Sequence, residues 1–134
     1  MPIIPDFSLP TSADPNALDL APTAAPNSKS VFFLSFHASP DPTTGKPWCP
    51  DVAAALPYLN EVFSAPQSPT VAYVNVGQRD EWKDPSNIYR TQWKLSCIPT
   101  LIRFERVDGN VQEVGRLVEG EIVDRAKLEK FVSC

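Results

Sequence analysis

The chain has little histidine and little cysteine: one histidine, His37, and three cysteines, Cys49, Cys97 and Cys134, in 134 residues. The cysteines are odd in number and far apart, so neither a disulfide scaffold nor a C-x-x-C zinc half-site is expected. No metal and no cofactor is expected on that basis. Positive charge is also lacking: 12 Lys and Arg stand against 16 Asp and Glu, a net charge of −4. That argues against nucleic acid or an anionic membrane surface as the main partner. No apolar run approaches the roughly 18 residues that a membrane span requires. The opening stretch, MPIIPDFSLP, holds no basic residue and no long apolar core. It is not read as a signal peptide, so a cytoplasmic location with reduced thiols is expected.

What is present fits one domain: 43% apolar and 21% charged residues, enough for a single hydrophobic core. Of 15 prolines, six lie in the first 29 residues. Residues 1–29 therefore read as an irregular, Pro-rich lead-in. Ile3 to Leu9 is its candidate edge strand, and Asp14-Pro15 a candidate helix cap. Residues 30–134 read as the folded domain. SVFFLSFHA, from Ser30 to Ala38, is a continuous apolar run suited to a strand buried on both faces. SPDPTTGKPW is a loop of turn residues, and a helix is expected from Pro50 to about Phe63. TVAYVNV (70–76) reads as a second buried strand. Asp84-Pro85 reads as the cap and first position of a second helix reaching about Leu95. TLIRFERV and VQEVGRL, around Asp108-Gly109-Asn110, read as a hairpin. AKLEKFV is a short amphipathic helix. A β-α-β start followed by a hairpin predicts an α/β domain with a central mixed sheet flanked by helices in three layers.

The chemistry concentrates in Lys46-Pro47-Trp48-Cys49-Pro50-Asp51-Val52. Cys49 is expected at the N-cap and Pro50 at the first helical position, where a missing N–H costs nothing. The orphan N–H groups and the helix dipole would then face the sulfur and favour a thiolate. Lys46 would assist from the loop, and Asp51 would oppose. Dithiol chemistry needs a second cysteine three residues on, and that position is Val52. With Leu56, Leu59 and Phe63, Val52 forms one apolar helix stripe, so it is expected to be buried. Pro57 lies inside this helix and is expected to kink it. Cys97-Ile98-Pro99-Thr100 places a proline at the mouth of a strand, where a cis or a trans peptide bond could serve. His37, Trp82 and Asp84 have structural readings: a satisfied strand histidine, a packing tryptophan and a helix cap. Glu119, Glu121 and Asp124 read as a solvated face.

Together these residues resemble the thioredoxin superfamily. The carriers are VFFLSFHA, Trp48-Cys49-Pro50-Asp51-Val52, Pro57, Ile98-Pro99-Thr100 before a strand, and Gly115 in the last strand. The inserted DPTTGKPWCPD and the stretch WKDPSNIYR are most similar to the Clot-type thioredoxin-related proteins. The resemblance covers about residues 30–132. It implies a thioredoxin fold with Pro99 cis and facing Cys49, and a substrate groove formed by Trp48, Ile98, Pro99 and Gly115. It also implies thiol-disulfide exchange with small or protein disulfides, with glutathione or thioredoxin reductase as reductant. Cys49 carries over as the nucleophile. Ser35 stands roughly where thioredoxins keep a buried aspartate, and Cys97 is a candidate second thiol. The resolving cysteine is replaced by Val52. Without it, a mixed disulfide must be cleared by an outside thiol or another cysteine of the chain. Two readings follow: a monothiol redox protein acting through Cys49, or a binding module that keeps the groove without turnover. A glutaredoxin-like iron–sulfur carrier is disfavoured, because C-G-F-S is absent and Pro-Asp follows Cys49.

Overall fold

The computed structural model describes residues 3, 4, 7, 30–64, 69–107 and 110–133. Asp14-Pro15, the turn at 108–109 and Cys134 lie outside them. Five strands form one sheet: β1 (Ile3–Ile4), β2 (Ser30–His37), β3 (Thr70–Asn75), β4 (Thr100–Val107) and β5 (Asn110–Val118). Their order is β1-β3-β2-β4-β5. β3 runs parallel to both β1 and β2, whereas β4 runs antiparallel to both β2 and β5. The expected mixed sheet is therefore present. Of the candidate edge strand, Ile3–Ile4 pairs with Val71 and Ala72, and the Phe7 N–H donates to the Tyr73 carbonyl.

β2 sits between two partners, and its apolar run is covered on both faces by two separate cores. Alternation sends Phe32, Leu34 and Phe36 one way and Phe33, Ser35 and His37 the other. The first set packs in a core with Ala72, Val74, Ile102 and Phe104. Phe33 packs in a second core against α1 (Pro50–Phe63) and the closing helices α4 (Glu119–Ile122) and α5 (Arg125–Ser133). Each of these phenylalanines is fully buried, which stabilises the fold by about 1.5–3 kcal/mol per side chain. Phe32 stacks on Phe104 at 5.1 Å between ring centroids. Arg103, only 5% exposed, reaches across from β4 and donates to the carbonyls of Phe131 and Val132 at 2.8 and 3.2 Å. It thereby closes the C-terminal turn of α5.

α1 has the expected bounds. Its buried residues are Val52, Ala55, Leu59 and Phe63, with Leu56 half-buried beside them. The helix continues through Pro57. Pro57 and Ala53 are both exposed, so the carbonyl left without an N–H faces water.

The second helix departs from expectation. Asp84 is not its N-cap. Residues Arg79–Lys83 form a short helix, α2, with Asp84 at its C-cap, and Ile88–Thr91 form α3, capped by the Asn87 side chain. The Asp84 carboxylate accepts from the Ser86 N–H and hydroxyl at 2.9 and 2.8 Å, which turns the chain at Pro85. These two bonds also hold the Asp84 carboxyl below its usual pKa. Trp82 packs in the first core as expected. Glu121 and Asp124 accept backbone N–H groups, from Val118 and Lys127 respectively, rather than forming only a solvated face.

His37 is 4% exposed, and its Nε2 lies 2.7 Å from the Ser35 hydroxyl. Burial lowers its pKa from 6.5 to about 4. The folded state therefore holds a neutral ring at pH values where the unfolded chain would be protonated. That stabilisation is complete above pH 6.5 and is lost as pH falls towards 4. A shift of this size corresponds to about 3 kcal/mol. Denaturant titrations at pH 7 and pH 4 should show wild type losing about 3 kcal/mol more than His37→Asn, which keeps a polar partner for Ser35 but does not titrate. Equal losses in the two proteins would remove this role from His37.

Candidate functional site

Strand register decides where the site falls. His37 at the end of β2 pairs with Asn75 at the end of β3, and Phe36 pairs with Thr100 at the start of β4. The carboxyl ends of two parallel strands and the entry to an antiparallel one thus share one edge of the sheet. The loop after β2 leads to Cys49, β3 leads to Gly77, and Pro99 immediately precedes β4. Three distant segments therefore converge where open α/β sheets commonly carry their sites.

Cys49 is the N-cap of α1, with extended backbone (φ −96, ψ 121), and Pro50 occupies the first turn as expected. The sulfur side chain makes no capping hydrogen bond. Cys49 is half-buried, whereas Pro50, Asp51 and Lys46 are exposed. The 14-residue helix directs its unpaired N–H groups and its positive end towards the cysteine. Val52, three residues on, is 0% exposed. It packs in the first core with Ala38, Val76 and Ile98, whereas Ala55, Leu59 and Phe63 of the same helix belong to the second.

Trp48 is fixed from several sides. Its indole N–H donates to the Gly77 carbonyl at 2.9 Å. The Arg79 guanidinium lies 5.2 Å from the ring centroid and donates to the Trp48 carbonyl at 3.4 Å. A cleft of about 610 Å³ opens beside the ring, lined by Asp41, Thr44, Lys46, Trp48, Gln78 and Arg79 among others. Gly77, Gln78 and Arg79 escaped sequence reasoning. The one available signal was a glycine directly after a buried strand.

The Ile98–Pro99 peptide bond is cis. Ile98 is 4% exposed and Pro99 is buried, so both lie beneath the surface rather than lining an open groove. Cys97 is half-buried, its sulfur 4.0 Å from the Thr100 hydroxyl, which itself donates to the Cys97 carbonyl at 2.8 Å. Gly115 is not brought to this edge. Thr100 pairs with Val118, whereas Gly115 pairs with Arg103, three residues further along the strand. That is about 10 Å away at the ordinary strand rise. A Cβ on Gly115 would stand 3.0 Å from Phe131, so this glycine admits the ring of α5 and does not line a groove. Ser35 is 0% exposed and paired with His37, which places a neutral pair where a carboxylate was the implied comparison.

The sheet order and the helix behind Cys49 define a thioredoxin-class domain. Solved thioredoxins agree on the fold: the Trichomonas vaginalis protein superposes with a TM-score of 0.53 at 15% identity, covering 76% of each chain. Over residues 16–133 the sequence matches the family described as thioredoxin domain-containing protein 17-like, thioredoxin domain, and the chain belongs to that family. A similar protein is the thioredoxin domain-containing protein C21C3.12c of Schizosaccharomyces pombe, 39% identical over 76% of this chain and 82% of that one. The thioredoxin-like protein Clot of Arabidopsis thaliana is 33% identical over 56% of this chain and 58% of its own length. Membership supports a thioredoxin-like redox role in general terms. Among the described residues no helix is long and apolar enough to cross a membrane.

The helix N-terminus makes a prediction for Cys49. Peptide mapping after brief iodoacetamide treatment at pH 7 should find Cys49 alkylated faster than free cysteine by about threefold or more. Alkylation of Cys49 at the rate of free cysteine would show that the helix does not activate it.

Proposed function

We propose that this protein is a monothiol redox protein acting through Cys49 on small or protein disulfides. The observation that carries the reading is the pairing of a half-buried, uncapped cysteine at the start of α1 with a valine fully buried three residues on. The Cys49 thiolate attacks one sulfur of a disulfide R–S–S–R′. The old S–S bond breaks, R′S⁻ leaves and takes a proton from solvent, and Cys49 is left joined to R. Val52 has no sulfur with which to clear that bond. A second, external thiol such as glutathione attacks the sulfur of R, restores the Cys49 thiolate and carries R away as a new mixed disulfide. Thioredoxin reductase acts on an internal disulfide, which Val52 cannot form, so an external thiol is the reductant proposed here. The cytoplasm, where thiols stay reduced, is the compartment such a cycle needs.

A second reading has one observation in its favour. Val52 is incorporated into the core, so the position of the second thiol has become packing. On that reading the site binds partners without turnover.

Substitution at position 52 separates the two. Residues three apart on a helix lie on one face, close enough for a disulfide. Valine to cysteine is a small change in volume at a buried site. After incubation with cystine, wild type should retain a mixed disulfide at Cys49 by mass spectrometry, whereas Val52→Cys should clear it and form a 49–52 disulfide. Insulin reduction with thioredoxin reductase and NADPH should be near background in wild type and rise in Val52→Cys. Wild type that forms no adduct with any disulfide supports the binding module, and wild type that reduces insulin as a dithiol thioredoxin does overturns the account of Val52.

A further inference from the structure

We propose that Gly77 is a positioning residue for Cys49, acting through Trp48; this rests on the monothiol reading above. The peptide groups around Gly77 hold both sides of the site's entrance. Its carbonyl accepts from the Trp48 indole at 2.9 Å and from the Ser39 N–H at 3.2 Å. Its own N–H donates to the Ser39 hydroxyl at 2.9 Å. Next to it, the Gln78 side chain donates to the Pro40 carbonyl at 2.8 Å. One residue after β3 therefore anchors the start of the inserted loop and the ring that precedes the cysteine.

Only glycine suits the position. Its φ is +107, a backbone conformation that residues with a Cβ rarely adopt. A Cβ there would also stand 2.9 Å from the Cβ of Glu81, which is fixed to the α2 backbone and cannot swing away. The Glu81 carboxylate is itself engaged, accepting the Gln78 N–H at 2.9 Å. Any side chain at 77 must turn the peptide or move α2, and either shift takes the carbonyl away from Trp48. Trp48 is bonded directly to Cys49, whose extended backbone forms the N-cap of α1. Freeing the ring loosens that backbone and with it the placement of the Cys49 side chain.

The test compares wild type with Gly77→Ala by two readouts. The first is the indole resonance of Trp48 in a ¹⁵N–¹H spectrum, identified by its loss in Trp48→Phe. Its hydrogen exchange should speed by about fivefold, while the resonances of Trp82 and Trp93 stay in place and show the fold intact. The second is the alkylation rate of Cys49 at pH 7, which should fall by about threefold. If Gly77→Ala does not fold, Ser39→Ala keeps the glycine, removes the hydroxyl that holds its N–H, and should move both readouts in the same direction. An unmoved Trp48 resonance, or an unmoved Cys49 alkylation rate beside a released Trp48, overturns the proposal. A wild-type Cys49 that already reacts as a free thiol fails the monothiol reading instead. In that case the Trp48 resonance alone decides whether Gly77 positions the ring.

Discussion

The fold and its site depend on one constraint: β2 must satisfy a parallel neighbour on one side and an antiparallel one on the other. The parallel pairing with β3 sends the chain over the sheet through α1 before it can return. The antiparallel pairing with β4 brings a third segment in from the opposite direction. The segments that carry Cys49, Gly77 and Pro99 lead to one edge of the sheet because of the register of one central strand. The apolar sequence of β2 secures this arrangement. Covered on both faces and paired on both sides, the strand has no exposed backbone through which to slip, and a one-residue slip would exchange its two faces.

At that edge, packing and chemistry make different demands on the same position. The core needs a small apolar side chain at residue 52, and valine and cysteine both meet that need. A dithiol cycle needs sulfur, which valine lacks. Valine therefore meets the packing demand while supplying no sulfur. At the end of β2, Ser35 and His37 form a buried neutral pair, and burial keeps His37 uncharged well below its ordinary pKa.

Much of this was legible in the sequence where one strong signal dominated. The run SVFFLSFH could be only a covered strand. Cys49-Pro50 followed by a four-three-four stripe could be only a helix start. The region 78–95 was misread because its punctuation is ambiguous: Asp84-Pro85 looks like a helix cap, yet Ser86 captures the carboxylate and makes a turn. Gly115 was misplaced because sequence gives a strand but not its register. The setting of Trp48 was hidden for another reason. Its acceptor is a backbone carbonyl 29 residues away, and every residue has a carbonyl. Only the positive φ at Gly77 marks that one out, and φ is not written in the letters.

The loop between β2 and α1 closes on itself. Pro40 and Pro47 are bridged, the Asp41 N–H donates to the Lys46 carbonyl at 2.7 Å, and the Gly45 N–H returns to the Asp41 carbonyl at 2.7 Å. Asp41 also accepts from the backbone of Thr43 and Thr44. The neck is thus fastened at Asp41 and Lys46, the tip bonds back to Asp41, and the tip residues, Thr43 to Gly45, are exposed. In engineering terms the loop is a cassette. Residues added at its tip would incur a loop-closure cost that grows only slowly with length, and the strain would stop at the neck. A recognition segment could therefore be grafted a few residues from the cysteine without resetting the sheet that holds it.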